Sequence, residues 1–138
     1  MMTTTGGCLC KAVRFSFNTS PVAARTCWCR LCQYLAAGNA TVNICFKAES
    51  LTESGEVRWY ESEADSGNHM RRGFCPVCGT PLYSKTQSRP HLIFVRAGTL
   101  DNPNLMPPQG TIWVKEAPDW ACINPDLPRW DGQSPPVA

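Results

Sequence analysis

Seven of the nine cysteines fall into three short clusters: Cys8-Leu9-Cys10, Cys27-Trp28-Cys29-Arg30-Leu31-Cys32 and Cys75-Pro76-Val77-Cys78-Gly79. Thiolates at such spacings are metal ligands, for zinc above all. Zinc held by four protein ligands is a closed structural ion, whereas zinc held by three keeps a position for a substrate. The clusters supply enough thiols for one site of each kind.

The Cys75–Cys78 pair is the most specific of these signals. A Cys-x-x-Cys turn brings two sulfurs to one point, and Gly79 lets the backbone turn back under the metal. A redox dithiol is the competing reading. Such dithiols usually open a helix in a βαβ setting, and Pro81 with the strand pattern after it argues against that. Two ligands do not close a site. Cys8 and Cys10, flanked by Gly6 and Gly7, precede a strand, where alternate residues point the same way. Together the two pairs make a four-thiolate site that ties the first strand to the middle of the chain, a structural role.

Cys27, Cys29 and Cys32 remain. Cys-x-Cys-x-x-Cys can aim three sulfurs at one point where a loop wraps into a helix start. A closed site would need Cys45, Cys122, His69 or His91 as fourth ligand. Cys45 and Cys122 are isolated among apolar neighbours, which favours core packing. An exogenous fourth ligand is the better reading, and a thiol suits a soft three-thiolate zinc.

The elements that must position these groups read as mostly β. Val13, Phe15 and Phe17 alternate with polar residues over 12–17, as do Val42, Ile44 and Phe46 over 41–46. Further strands are expected at Val57 to Tyr60, Met70 to Phe74, Pro81 to Ser84, His91 to Ala97 and Thr111 to Lys115. One short helix is expected from Arg30 to Ala37, stopped by Gly38. Beyond Pro118, Trp120, Leu127 and Trp130 anchor irregular chain, and residues 134–138 are expected to fray. Twelve prolines and ten glycines suit short elements with many turns.

The length of 138 residues predicts a single domain, and a charged fraction of 17% against 43% hydrophobic excludes a disordered tail. The formal charge of +2 treats the cysteines as neutral; seven bound thiolates and two zinc ions bring it to −1. A near-neutral chain gives no global electrostatic case for nucleic acid or a membrane. No targeting segment is visible at the start, and no apolar run is long enough to span a bilayer. A reducing cytoplasm is therefore expected, where thiols ligate metal rather than pair.

The order Gly-x-Cys-x-Cys, Cys-x-Cys-x-x-Cys, Phe-Cys-x-x-Cys-Gly-Thr-Pro resembles the glutathione-dependent formaldehyde-activating family, which includes the centromere protein V type. Ala97-Gly98-Thr99-Leu100-Asp101, Ile112-Trp113 and Asp126-Leu127-Pro128-Arg129-Trp130 extend the resemblance from about Gly6 to Gly132. It implies an Mss4-like fold of twisted antiparallel sheets and a carbon–sulfur lyase acting on glutathione adducts. It implies a structural zinc on Cys8, Cys10, Cys75 and Cys78, and a catalytic zinc on Cys27, Cys29 and Cys32. Three positions depart from the family's usual pattern: Trp28 and Thr111 stand where histidine is usual, and Lys11 where glycine is frequent.

The working expectation is reversible C–S bond cleavage in a thiol adduct, such as a thiohemiacetal of glutathione, with zinc stabilising the sulfur as thiolate. The two carboxylates of glutathione call for basic partners. Arg30, inside the metal loop, is the first candidate, and Trp28 is a candidate pocket wall or else a packed aromatic. Arg71 and Arg72 are weaker choices, since adjacent charges more often mark a solvated strand. His69 and His91 are the two imidazoles available for proton transfer. The rival is a non-catalytic, zinc-stabilised binding module, because fold alone does not settle function.

Overall fold

A computed structural model describes residues 3–64 and 66–136. A three-stranded antiparallel sheet holds β1 (Thr4–Gly7), β2 (Arg14–Phe17) and, on the far side of β2, β5 (Leu51–Ser54). The seven-stranded sheet contains β3 (Ala23–Cys27), β4 (Thr41–Lys47), β6 (Arg58–Glu63), β7 (His69–Phe74), β8 (Pro81–Thr86), β9 (Leu92–Arg96) and β10 (Thr111–Ile112). Its order is β10-β3-β4-β9-β8-β7-β6, antiparallel except that β10 runs parallel to β3. The architecture is the mainly β, Mss4-like arrangement that the family resemblance implies.

Strand alternation gives the large sheet two faces of different chemistry. Ala24, Ile44, Val95, Tyr83, Gly73 and Trp59 lie in one cross-strand row. That face packs on Val13, Phe15 and Phe17 of the smaller sheet and its approach. Phe17 stacks on Phe46 with centroids 4.1 Å apart, and Phe15 meets Tyr83 at 5.6 Å. Each such buried ring contributes about 1.5–3 kcal/mol. The neighbouring residues Arg25, Asn43 and Arg96 form a second row, facing the other way.

The helix α1 (Arg30–Leu35) is capped by the Cys29 sulfur, which accepts the Cys32 amide at 3.3 Å. It ends before the expected Ala37, because Ala37 already adopts φ 55 and Gly38 φ 102. β3 was not expected, since AARTC shows no apolar alternation; nor were β1 and β5. Their sequences, TTGG and LTES, carry too few apolar residues to show an alternation. At Gly6 an added Cβ would come 2.3 Å from the Thr99 carbonyl oxygen, so glycine is required where β1 crosses that segment.

Three further expectations are corrected. The strand expected at Thr111 to Lys115 stops at Ile112, since Trp113 at φ 60 sends the chain into a 3-10 turn, Val114–Glu116. Cys122 is exposed rather than packed in the core. Ser134 does not fray: it is buried and accepts a hydrogen bond from Arg25, which also donates to the Pro135 carbonyl at 3.2 Å. Val137 and Ala138 lie outside the described residues. No helix among the described residues is long and apolar enough to cross a membrane.

Candidate functional site

Cys8 and Cys10 lie in the turn between β1 and β2, ahead of the β2 strand as expected, and Cys75 and Cys78 lie in the turn between β7 and β8. All four sulfurs fall within 4.8 Å of one another. Cys8 and Cys10 sulfurs are 3.6 Å apart, and those of Cys10 and Cys75 are 3.8 Å apart. Tetrahedral zinc–thiolate bonds of about 2.3 Å place sulfurs about 3.8 Å apart, so this donor set fits zinc. Backbone amides support the sulfurs: Val13 donates to Cys8 at 3.2 Å, and Val77 and Cys78 donate to Cys75 at 3.4 and 3.5 Å. The Thr80 hydroxyl accepts from the Leu9 amide at 3.2 Å, leaving its proton for the Cys78 sulfur at 3.1 Å. That hydroxyl, with the Thr80 amide, holds the Cys78 thiol down to about 5. Such outer partners fix the orientation of ligands.

The second cluster is assembled by one strand end and one helix start. Cys27 closes β3, Cys29 caps α1 and Cys32 lies in its first turn. Their sulfurs are also within 4.8 Å of one another, and all three residues are buried. Hydrogen bonds from Cys27, then Cys29, pull Cys32 down to about 3, with the Thr41 hydroxyl and the Arg96 charge adding to the effect. Cys27 moves far upward as the same sulfurs compete for protons. Packed thiols of this kind titrate as one unit, and a coordinated divalent ion lets all of them ionise. Soft thiolates suit zinc. Among the described residues, Cys45, Cys122, His69 and His91 do not join this group.

The three cysteines line a pocket of about 320 Å³ on the polar face of the large sheet. Phe94, Ile112 and Trp113 supply apolar wall, and Ser84 and Thr86 supply hydroxyls. Cys45 lines it as well, so it is not simply core; burial pushes its thiol up to about 11. Four arginines, Arg25, Arg72, Arg89 and Arg96, also line the pocket, while no Asp, Glu or His does so among the described residues. Arg96 donates to Asn43, and Asn43 donates to the Thr41 hydroxyl at 3.0 Å, which links Arg96 to Cys32. Arg72 donates to the Ser62 hydroxyl at 2.7 Å. The Nε atoms of Arg72, Arg89 and Arg96 are enclosed and have no hydrogen-bond partner. Burial lowers the Arg96 pKa, opposed chiefly by the nearby Cys32.

These arginines are mostly not the cations that the sequence suggested. Arg30 is exposed, bonded to Gln33 at 2.5 Å and set over the Tyr34 ring, and it does not line the pocket. Trp28 is buried against Trp120 with centroids 6.2 Å apart, and it too lies away from the pocket lining. Helix geometry explains both positions: residues flanking a cap point away from the turn that gathers the sulfurs. Arg71 and Arg72 are separated by the pleat. Arg71 sits outside over Trp59 at 4.7 Å, and Arg72 turns into the pocket. His69 bonds Glu61 at 3.2 Å on the exposed edge, and His91 is exposed; neither lines the pocket. Strand spacing held one clue to the arginines: Arg25 is two residues before Cys27, so both share a face.

Fold and sites define a class: a small, mainly β protein with one four-thiolate cluster and one three-thiolate cluster beside a cationic pocket. The family model described as "Glutathione-dependent formaldehyde-activating enzyme" matches residues 3–116, and the chain belongs to that family. Among curated proteins, none matches it. Among solved structures it is similar to a crystal structure of a Rhodobacter sphaeroides protein, with 17% identity and a TM-score of 0.57. The alignment covers 91% of this chain and 98% of that one. At that identity the likeness concerns the fold.

Proposed function

We propose that this protein is a zinc-dependent carbon–sulfur lyase acting on adducts of glutathione or a related thiol, such as S-hydroxymethyl-type thiohemiacetals. One observation carries the reading: three convergent sulfurs, with no fourth protein ligand among the described residues, line a pocket large enough for a small molecule. Family membership supports glutathione as the thiol. Cys27, Cys29 and Cys32 would hold the catalytic zinc, and Cys8, Cys10, Cys75 and Cys78 a structural one. Bound there, the catalytic ion supplies a soft Lewis acid that favours the thiolate form of the substrate sulfur.

The chain's own groups do the rest. The Thr41–Asn43–Arg96 relay fixes Cys32 on the pocket side. Phe94, Ile112 and Trp113 keep water from the reacting carbon. In cleavage the adduct hydroxyl loses its proton, the C–S pair leaves with sulfur, and a carbonyl forms. No imidazole or carboxylate is placed for that proton among the described lining residues; Ser84 and Thr86 orient the hydroxyl and pass the proton to solvent. A reducing compartment such as the cytoplasm keeps all seven thiols available.

The test is bound zinc per chain, measured by elemental analysis under reducing conditions with and without glutathione. About two zinc ions with glutathione and fewer without it are expected of a thiol-completed site. A zinc content that ignores glutathione, together with no glutathione binding, would transfer the case to a non-catalytic binding module.

A further inference from the structure

We infer that the pocket beside Cys27, Cys29 and Cys32 is an anion site that selects thiols bearing a carboxylate, with Arg72, Arg89 and Arg96 as the selecting groups. The inference rests on the thiol-binding reading above and names the class of thiol. Arg72 and Arg96 are each only 9% exposed, and both line the pocket. Among the described residues no carboxylate lies within ion-pairing distance of either, or of Arg89. A guanidinium removed from water without a counter-charge is costly, and two near each other cost more. Among the described residues only the thiolate cluster offers a charge that offsets them, and a bound anion would supply the rest.

The cluster alone is not enough. Three thiolates and a divalent zinc leave one negative charge, and the three guanidiniums outweigh it by two. Arg96, linked to Cys32 through Asn43 and Thr41, balances the cluster. Arg72 and Arg89 are left over. Arg25 also keeps its charge, but its guanidinium is engaged by Ser134, the Pro135 carbonyl and the Trp130 ring, so it is not counted among the selecting groups. A ligand that brings one thiolate and one carboxylate supplies the two charges that Arg72 and Arg89 lack. A thiolate alone supplies half. Arginine suits the task, because its planar fork matches a carboxylate in two parallel bonds. The pocket's volume of about 320 Å³ limits the ligand to a small molecule.

The experiment is calorimetric titration of the zinc-loaded protein with two matched pairs: glutathione and its diethyl ester, and 3-mercaptopropionate and its methyl ester. Each acid is expected to bind about 10- to 100-fold tighter than its ester. Arg72→Gln and Arg89→Gln should shrink that ratio towards one while leaving the ester affinities in place. Arg72→Lys should fall between, since it keeps the charge and loses the fork. Each variant's thermal melt is recorded, so a misfolded variant is recognised and the other carries the test. Equal binding of acid and ester in the unmodified protein would overturn the inference. So would an acid-to-ester ratio unchanged in both glutamine variants. If 3-mercaptopropionate binds with an Arg72-dependent ratio and glutathione does not bind, the anion site stands and glutathione as substrate thiol fails. If none of the four thiols binds, both fail.

Discussion

Lys11 occupies a position that the local turn disfavours. It follows Cys10 in the turn between β1 and β2 and adopts φ 69, the left-handed region where a Cβ is strained. The family frequently has glycine there, and the turn geometry supplies the reason. Lys11→Gly should raise unfolding free energy by about 0.5–1 kcal/mol, the relief of that strain less glycine's greater chain entropy. A denaturant titration reads it as a higher midpoint at unchanged slope; an unchanged or lower midpoint would show that the Lys11 side chain contributes something the turn does not. At this scale the seven clustered cysteines were legible, whereas of the two expected as core, Cys45 lines the pocket and Cys122 lies exposed. Spacings of two and three residues fix local geometry, so the sequence alone grouped all seven sulfurs correctly. The arginines were not legible as a group. Arg25, Arg72 and Arg96 come from three separate strands that register brings to one face, and Arg89 joins them from the turn between β8 and β9. Arg30 looked better than any of them because it was adjacent in sequence.

One carboxylate adds a polar tie where the small sheet meets the segment after β9. Asp101 accepts from the Thr5 hydroxyl at 2.7 Å and from both terminal nitrogens of Arg14, at 3.1 and 2.5 Å, while its amide donates to the Thr5 carbonyl at 3.0 Å. It thus ties the segment after β9 to both β1 and β2. The Arg14 bonds, then the Thr5 bond, hold the Asp101 carboxyl below the usual carboxylate range. A lowered folded pKa gives stability that is present above the unfolded value of about 3.9 and lost as pH falls through the folded one. Both side chains are nearly half exposed, so solvent screens the pair and its worth is about 0.2–1 kcal/mol. Asp101→Asn should lose that amount at neutral pH, and the difference from the unmodified protein should close on acidification through that range. A gap that persists in acid would mean that geometry, not charge, holds the tie. Elements of this kind show why legibility varied. Strands with a clear apolar alternation were found to within about two residues, whereas β1 and β5 are short, polar partners of β2 whose pairing depends on contacts distant in sequence.

At the scale of the whole molecule the two clusters are attached to different parts of the fold. The four-thiolate set clamps the β1–β2 turn to the β7–β8 turn, and so joins the small sheet to the large one across the core. The three-thiolate set joins β3 to a helix of six residues that immediately follows it. Closing a long loop restrains the unfolded chain more than closing a short one. Loss of a ligand should therefore weigh unequally on stability, whatever either site does chemically. Cys78→Ser should cost several kcal/mol and lower Tm by about 10 °C or more, since structural zinc binding is coupled to folding. Cys29→Ser should leave Tm within a few degrees and, on the proposed division of labour, abolish turnover of a thiohemiacetal substrate and the glutathione-dependent share of bound zinc. Chelator treatment separates the two further: the open cluster should give up its metal first, with near-UV dichroism retained, and only the second loss should unfold the core. Equal unfolding of both variants, or a single cooperative release of all metal with the fold, would mean that both clusters serve as staples and would remove the basis for a catalytic one.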